Sequence, residues 1–542
     1  MGESSFYEQA LALFLAQAKE PPTRPPRASA SIVPWRMTSD GRLEVYWVKR
    51  SRELGVLGGW HAFPGGGIAK SDIEVRVLGD PVALGDIGPG GTPFGSRYLR
   101  DERLGPTMIP GLLAGAIREL FEETGLLLAS GYSSGNAPLP NDLLAPLRAD
   151  LLAEKQSFQD LLRAHQLVAD ASSLVYAGRW ITPSISPMRF DNRFFLLEWD
   201  VESPIQPKVI PGELESGEWI RPADAMEAWR RREVLAAPPT LYILDILAEA
   251  GPKGGLPRLQ TEPVGGHDAL RRFLEPRPGV ILLPLVTPTL PPANATTSFL
   301  LGADEAVLID VGTHFPSELD RLQRSLAIIQ EEMNRKVSAI WLTHHHPDHV
   351  GGVEQMRKVL NVPVVAHPDT ADRLAERGIH VDAYFRGGER ILLAGNPPVS
   401  VRVLHTPGHA AGHLAFLEEH AGSVIAGDLV AGTGTVIIDP PEGNMTDYLA
   451  SLALLAEFQP RTLFPSHGPV IANALETLET YIKHRLAREA KVIECWDSGI
   501  TDIAAMLPIV YSDASPKVYP LAARQIEAHL HRLREIGRIS SQ

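Results

Sequence analysis

The sequence predicts a multidomain chain of mixed α/β and α+β class, and three observations lead there. Its 542 residues exceed what one core supports, because domains run to roughly 100–200 residues each. Strand-like runs alternate with helix-period stretches over most of the chain. Breaks rich in proline and glycine cut this alternation into separate regions. The balance of 44% hydrophobic and 21% charged residues is that of a globular protein, and no apolar run approaches the ~20 residues that span a bilayer, so no membrane partner is expected.

Taken in order, a helix-like opening (Phe6, Ala10, Leu13, Phe14) leads into Glu20-Pro21-Pro22-Thr23-Arg24-Pro25-Pro26. That run cannot be helix interior, so residues 1–29 read as an N-terminal helix and proline-rich linker. Leu43–Val48 and Phe194–Leu197 read as strands, and Gly115–Leu128 and Pro222–Arg231 as helices, which makes 30–250 one unit of both element types. Gly251-Pro252-Lys253-Gly254-Gly255 and Val264-Gly265-Gly266 mark a second break, and 251–278 reads as a linker. Beyond it, strands at Val280–Val286, Ala306–Val311, Ala339–Thr343, Val401–Leu404 and Ser423–Ala426 alternate with helices at Glu318–Met333 and Thr446–Glu457, defining a unit over 279–475. The closing 476–542 is helical by pattern at Tyr481–Trp496, Ile500–Leu507 and Leu521–Ile536. Gly88-Pro89-Gly90-Gly91-Thr92-Pro93 reads as a flexible loop.

A net charge of -14 gives the surface no overall pull toward phosphate backbones, so nucleic acid is not the default partner. The single cysteine, Cys495, has no mate and reads as a small packed apolar residue. The opening Met1-Gly2-Glu3-Ser4-Ser5 lacks the basic and apolar regions of a secretory signal, and a cytoplasmic location is expected.

Chemistry concentrates in two places. Twelve of the 18 histidines fall between His314 and His467, and His344-His345-His346-Pro347-Asp348-His349 packs imidazoles and a carboxylate into one turn after a strand. Thr406-Pro407-Gly408-His409, Gly427-Asp428 and Pro465-Ser466-His467-Gly468 also follow strand ends. Imidazoles suit zinc or a similar ion, and carboxylates leave room for solvent. The pattern resembles the metallo-β-lactamase superfamily, which implies an αββα sandwich holding two zinc ions. That resemblance implies that His344, His346 and His409 hold the first ion, Asp348, His349 and His467 the second, and Asp428 bridges them. It also implies that Asp310 supports the site from outside and that Asp348 orients or deprotonates the attacking water. A metal pair lowers the pKa of such a water toward neutrality. His345 is not expected to be a ligand, and His405 and His413 are left between supporting and surface roles.

The second concentration is a helix. At ~100° per residue, Glu119, Glu122 and Glu123 share one face opposite Ile117, Leu120 and Phe121. Three converging carboxylates call for a hard divalent cation, Mg²⁺ or Mn²⁺, and Arg118 is placed to brace Glu122. Arg118 to Leu126 matches the second half of the Nudix box, and Phe63-Pro64-Gly65-Gly66-Gly67 looks like its opening loop. Trp180-Ile181-Thr182-Pro183 and Arg189–Phe195 resemble the branch containing coenzyme A diphosphatases. This resemblance implies an α/β/α sandwich, metal bound by Glu119, Glu122 and Glu123, and water activation by Glu122 or Glu123. Arg189 and Arg193 are expected to contact substrate phosphates. The box departs from the family pattern in an insertion of roughly 39 residues and in a missing early glutamate, with Ser71 or Asp72 nearest its place.

The closing segment, with Ile536-Gly537-Arg538-Ile539 as a hairpin wing, looks like the winged-helix appendage of the lactamase-beta-like branch. Residues 480–542 hold nine Lys or Arg and seven Asp or Glu, a weak surplus for a nucleic-acid reader, so a structural or dimerising cap is the expected role. His529 and His531 read as surface residues. The leading expectation is a bifunctional metal-dependent hydrolase of small molecules. One site would cut a nucleoside-diphosphate-linked, coenzyme A-like substrate, and the other an ester or thioester. The alternative is a single-stranded RNA endoribonuclease with an accessory or ligand-sensing Nudix domain.

Overall fold

The computed structural model describes residues 26–55, 57–79, 108–131, 141–182, 189–260, 273–290 and 292–540. The helix-like opening and the Gly88–Pro93 patch lie outside these residues. The chain divides into two compact units near Arg272. No described helix is long and apolar enough to cross a membrane.

The first unit is built on strands β1 (Arg27–Met37), β2 (Leu43–Arg50), β3 (Gly65–Gly67), β4 (Leu174–Ile181), β5 (Phe190–Glu198) and β6 (Leu214–Ile220). Their order is β6-β2-β1-β5-β4, with β3 laid along β1. β1 and β5 run parallel, Ile32 opposite Phe195, and the other pairs of this path are antiparallel. Side chains alternate across a strand. Ile32, Phe195 and Leu197 therefore meet Leu113, Ile117 and Phe121 of helix α1 (Met108–Thr124). Val33, Trp35, Phe194 and Leu196 pack on the other face against α2 (Pro222–Arg230) and α3 (Pro238–Gln260). The result is an α/β/α sandwich.

Two boundaries differ from expectation. Helix α1 begins seven residues before Gly115 and stops at Thr124, where the Gly125 amide bonds the Phe121 carbonyl instead of continuing toward Leu128. The span expected as a linker, 251–278, carries helix to Gln260 and strand from Leu274. Helix α3 kinks at Gly251 (φ 64°), and Pro252 then opens a second helical run, a position proline favours because its missing amide would be unpaired there anyway.

The second unit stacks two sheets. The first contains β7 (Leu274–Arg277), β8 (Val280–Val286), β9 (Ala295–Gly302), β10 (Glu305–Ile309), β11 (Lys336–Trp341), β12 (Val364–Ala366) and β13 (Ala383–Tyr384) in chain order. The second contains β14 (Arg390–Leu393), β15 (Val399–His405), β16 (Leu414–Glu418), β17 (Ser423–Gly427) and β18 (Thr462–Pro465), also in chain order. Phe299, Trp341, Val403, Phe416 and Phe464 fill the space between the sheets. Trp341 lies edge-on to Phe385 at 5.0 Å. Helices α4 (Pro316–Met333) and α6 (Val353–Leu360) cover the outer face of the first sheet. Helix α7 (Met445–Glu457) and the start of α8 (Ala474–Asp497) cover the second, completing an αββα sandwich. A one-turn helix, α5 (Pro347–Val350), sits between β11 and α6.

Residues 476–542 were expected to be a separate winged-helix-like domain, but they share the compact unit of the two sheets. Helix α8, α9 (Ile503–Val510) and α10 (Tyr519–Glu535) enclose a small core with Cys495, Ile526 and Leu533 buried. No hairpin wing forms at Ile536–Ile539. The Arg538 amide bonds Leu533 O and the Gly537 amide bonds Arg534 O, the paired bonds of a Schellman cap. Gly537 takes φ 71°, which a glycine adopts without steric cost, and Ile539 folds back into the helical core. His529, expected on the surface, is 1% exposed and bonds Glu489.

Candidate metal centres

In the second unit every predicted metal ligand leaves the end of a strand. β11 runs into His344–His349, β15 into His409, β17 into Asp428 and β18 into His467. Ligand atoms of His344, His346 and His409 form one tight group, and those of Asp348, His349 and His467 form another. Asp428 lies between them, 3.5 Å from His349, 3.6 Å from His409 and 3.4 Å from His467. The structure thus brings together all seven side chains named from the sequence.

Hydrogen bonds on the far side of each imidazole decide which nitrogen faces inward. His409 Nδ1 donates to Ile437 O (2.7 Å), His467 Nδ1 to Ala295 O (3.1 Å) and His349 Nδ1 to the Asp310 carboxylate (2.8 Å). Thr343 Oγ1 gives its own hydrogen to Asp310 and accepts from His344 Nδ1. Each of these rings therefore turns Nε2 toward the centre, the nitrogen left free for a metal ion. His346 presents Nδ1, 2.9 Å from both His344 Nε2 and His409 Nε2. Inward lone pairs this close repel one another unless a cation lies among them. His349 Nε2 and Asp428 Oδ1 are buried and face each other at 3.5 Å without forming a well-aligned hydrogen bond. The residues fit a pair of divalent ions.

Burial and the neighbouring His349 hold His344 well below the ordinary imidazole range, and burial with His346 brings His409 down to about 4. Burial opposes ionisation of Asp428, but His467 and His349 outweigh it and keep the carboxylate charged. His349 is displaced upward because Asp428 and Asp310 together outweigh its burial. Asp310 is fully buried with φ 58°, a strained geometry costing about 1–3 kcal/mol. It is held by bonds from Thr343 N (2.8 Å), Thr343 Oγ1 and His349.

Other positions separate clearly. His413 supports the centre, accepting the Asp428 amide at 3.0 Å while its other nitrogen meets Thr406 Oγ1. His405 stacks on His367 at 4.2 Å and bonds Ala411 O, away from the ligands. His345 points to Glu442 (2.8 Å), which also lies 3.6 Å from His346 Nε2. Sequence reasoning missed Glu442, because nothing local marks a carboxylate nearly a hundred residues downstream as a partner of this turn. A cleft open to solvent ends on His409, Asp428 and His467 and is otherwise lined by residues such as Leu290, Pro292, Val436 and Ile437.

In the first unit, α1 carries Glu119, Glu122 and Glu123 as expected. Arg118 bonds Glu119 (2.9 Å), Glu122 (2.7 Å) and Asp72 (2.9 Å). Asp72 is fully buried and occupies the place of the missing early glutamate, so Arg118 is anchored after all. Ser71 is not needed for that role. Glu123 accepts the Gly65 amide at 2.8 Å, and a Cβ on Gly66 would lie 2.5 Å from the Glu119 carboxyl, so the glycine loop must stay bare for the helix to approach. Burial, reinforced by Glu119, pushes Glu123 up to about 8, and burial with Glu122 pushes Glu119 up to about 7. Glu122 is also raised, mainly by burial. Crowded carboxyls that hold protons near neutrality fit a site completed by a divalent cation.

The phosphate-contact expectation fails for Arg193, which is fully buried and bonds Asp191 on its own strand. Its side chain falls on the same face as Phe195 and points into the sandwich. Arg189 is half-buried and donates to Thr182 O.

An αββα sandwich with histidines and aspartates clustered at its strand ends, together with a carboxylate-bearing α/β/α sandwich in the same chain, defines a metal-dependent hydrolase. Residues 291–467 match the family model of the Metallo-beta-lactamase superfamily, and residues 7–247 match that of the NUDT19 Nudix domain. The Beta-lactamase-like protein 2 homolog of Drosophila melanogaster is 27% identical over 257 residues, 45% of this chain and 84% of its own. The Lactamase-like protein vrtG of Penicillium aethiopicum is 30% identical over 262 residues, 47% of this chain and 75% of its own. Thioesterase pkgB of Emericella nidulans is 30% identical over 240 residues, 44% of this chain and 62% of its own. A NUDIX hydrolase structure from Alicyclobacillus acidocaldarius aligns with 45% of this chain and 100% of its own at 26% identity and a TM-score of 0.34. The chain belongs to the metallo-β-lactamase superfamily and carries a Nudix domain ahead of that fold.

Proposed function

We propose that the protein is a bifunctional hydrolase whose second unit opens a thioester or ester and whose first unit cleaves a nucleoside-diphosphate-linked, coenzyme A-like substrate. The observation that carries the first part is the cleft beside the seven ligands. Its described lining contains no lysine or arginine and presents Leu290, Pro292 and Val436, which suits an uncharged acyl group. The name of the Emericella nidulans relative, a thioesterase, supports the same reading.

His344, His346 and His409 would hold one ion and Asp348, His349 and His467 the other, with Asp428 between, and imidazole-rich donors favour zinc. Bound there, two divalent ions supply Lewis acidity and water activation. Asp348, with its oxygen 3.5 Å from His467, is the carboxylate placed to accept the proton of the attacking water, while Leu290, Pro292 and Val436 keep the acyl side dry. In the first unit Glu119, Glu122 and Glu123 would hold Mg²⁺ or Mn²⁺ against the diphosphate, and Glu122 or Glu123 would take the proton. Arg118 holds Glu119 and Glu122 while the Gly65 amide holds Glu123, and charge neutralisation with alignment is what phosphoryl transfer requires.

The test is to incubate full-length protein loaded with zinc and magnesium with acyl-coenzyme A and measure free thiol, then to follow diphosphate cleavage of the released coenzyme A. Thiol release abolished by Asp348→Ala, with diphosphate cleavage retained, is the expected result. Fully metal-loaded protein that turns over neither bond would overturn the proposal.

A further inference from the structure

The segment 436–442 runs alongside the metal ligands, and its carbonyls at 436, 437 and 438 point alternately to opposite sides before the chain turns at Pro440. Ile437 O faces the centre and fixes His409 Nδ1 at 2.7 Å. Val436 O and Ile438 O face away and are taken by the C-terminal helices: Arg485 of α8 bonds the first at 2.6 Å, and Gln525 of α10 bonds the second at 3.2 Å. Arg485 and Gln525 also bond each other at 2.8 Å, both almost fully buried. Arg524 of α10 reaches Asp439 and the Pro440 carbonyl. The segment then delivers Glu442, 2.8 Å from His345 and 3.6 Å from His346 Nε2.

We propose that helices α8 and α10 are a positioning element of the metal centre. Through Arg485, Gln525 and Arg524 they hold segment 436–442 in the register that aims the Ile437 carbonyl at His409 and the Glu442 carboxylate at His346. This rests on the metal-centre reading above and adds a role for residues that come nowhere near the ligands in sequence. Buried polar side chains are costly unless paired, and here Arg485 and Gln525 pair with the backbone stretch whose Ile437 carbonyl orients His409. His346 differs from the other ligands of its group in presenting Nδ1, so its Nε2 needs an outer acceptor, and Glu442 is the carboxylate beside it.

The experiment compares full-length wild type with Gln525→Leu, Arg485→Met and Glu442→Gln. Zinc affinity is read by competition with a chromogenic chelator, and geometry by the visible spectrum of the cobalt-loaded protein. Leu533→Ala, in the helical core away from the segment, controls for general loosening. Gln525→Leu and Glu442→Gln should each weaken zinc binding about 10- to 100-fold, as loss of groups that orient ligands typically does, and should shift the cobalt bands. Leu533→Ala should lower thermal stability and leave the bands in place. Wild-type affinity and spectrum in Gln525→Leu overturn the inference, whatever Glu442→Gln shows and even if Arg485→Met does not fold. Failure of wild type to bind zinc or cobalt would instead remove the metal-centre reading beneath it.

Discussion

Raising the pH from 5 to 8 in chelator should weaken the first unit, and replacing Glu123 with glutamine should remove most of that loss. Burial and Glu119 move the Glu123 carboxyl from an ordinary 4.5 up to about 8, and Glu119 itself stands at about 7. Between these values the folded chain retains protons that the unfolded chain has released, so the unfolded state binds fewer and stability falls as pH rises. The loss begins above about 4.5, where the unfolded carboxyls ionise, and is complete above the raised folded values. At ~1.4 kcal/mol per pH unit of displacement, Glu123 alone sets a ceiling of about 5 kcal/mol. Partial hydration of a site open to metal brings the expected loss to on the order of 2–3 kcal/mol. Glutamine keeps an oxygen for the Gly65 amide and carries no charge, so E123Q should be the more stable protein at pH 8 without metal. Magnesium should reverse the order, since only the wild type gains charge neutralisation. Urea unfolding followed by tryptophan fluorescence suits the measurement, because seven of the nine tryptophans lie before residue 230. Wild-type stability that is flat or rising between pH 5 and 8, or an equal slope in E123Q, would refute the reasoning.

Three further outcomes are expected. Asp310→Asn should lower zinc affinity about 10- to 100-fold, read by chelator competition, because an amide cannot accept from Thr343 N, Thr343 Oγ1 and His349 together while orienting the ring. Arg193→Met should cost about 3–5 kcal/mol in denaturant unfolding by removing a partner of buried Asp191, with diphosphate KM unchanged; a raised KM with intact stability would restore the phosphate-contact role. Asp72→Ala should leave Arg118 without its buried anchor and cut diphosphate turnover more than tenfold, and Asp72→Glu should recover it.

The legible parts of this molecule were those written locally. Six consecutive residues from His344 to His349 displayed most of the metal chemistry, and the strand-end placement of His409, Asp428 and His467 followed from short apolar runs that stop just before them. Asp72 was harder to assign, since the inserted stretch separates it from Arg118 in sequence and only folding closes the ion pair. The burial of Arg193 does have a signal in the sequence: Asp191, Arg193, Phe195 and Leu197 fall on one face at period two, and the last two are core. Two isoleucines flanking a glycine suggest a wing at Ile536–Ile539, yet Leu533 before and Gly537 after the helix end spell a cap. Glu442 had no local signature, because its meaning depends on helices that close over the segment from behind.

The alternation of carbonyls between Val436 and Asp439 makes that stretch sensitive to parity rather than to length. Deleting or adding one residue there would turn the acceptor for His409 toward Arg485 and leave the imidazole without its anchor, whereas a change of two residues would restore the facing. A protein engineer transplanting this loop, or comparing it across homologues, should therefore find that even steps are tolerated and odd ones are not.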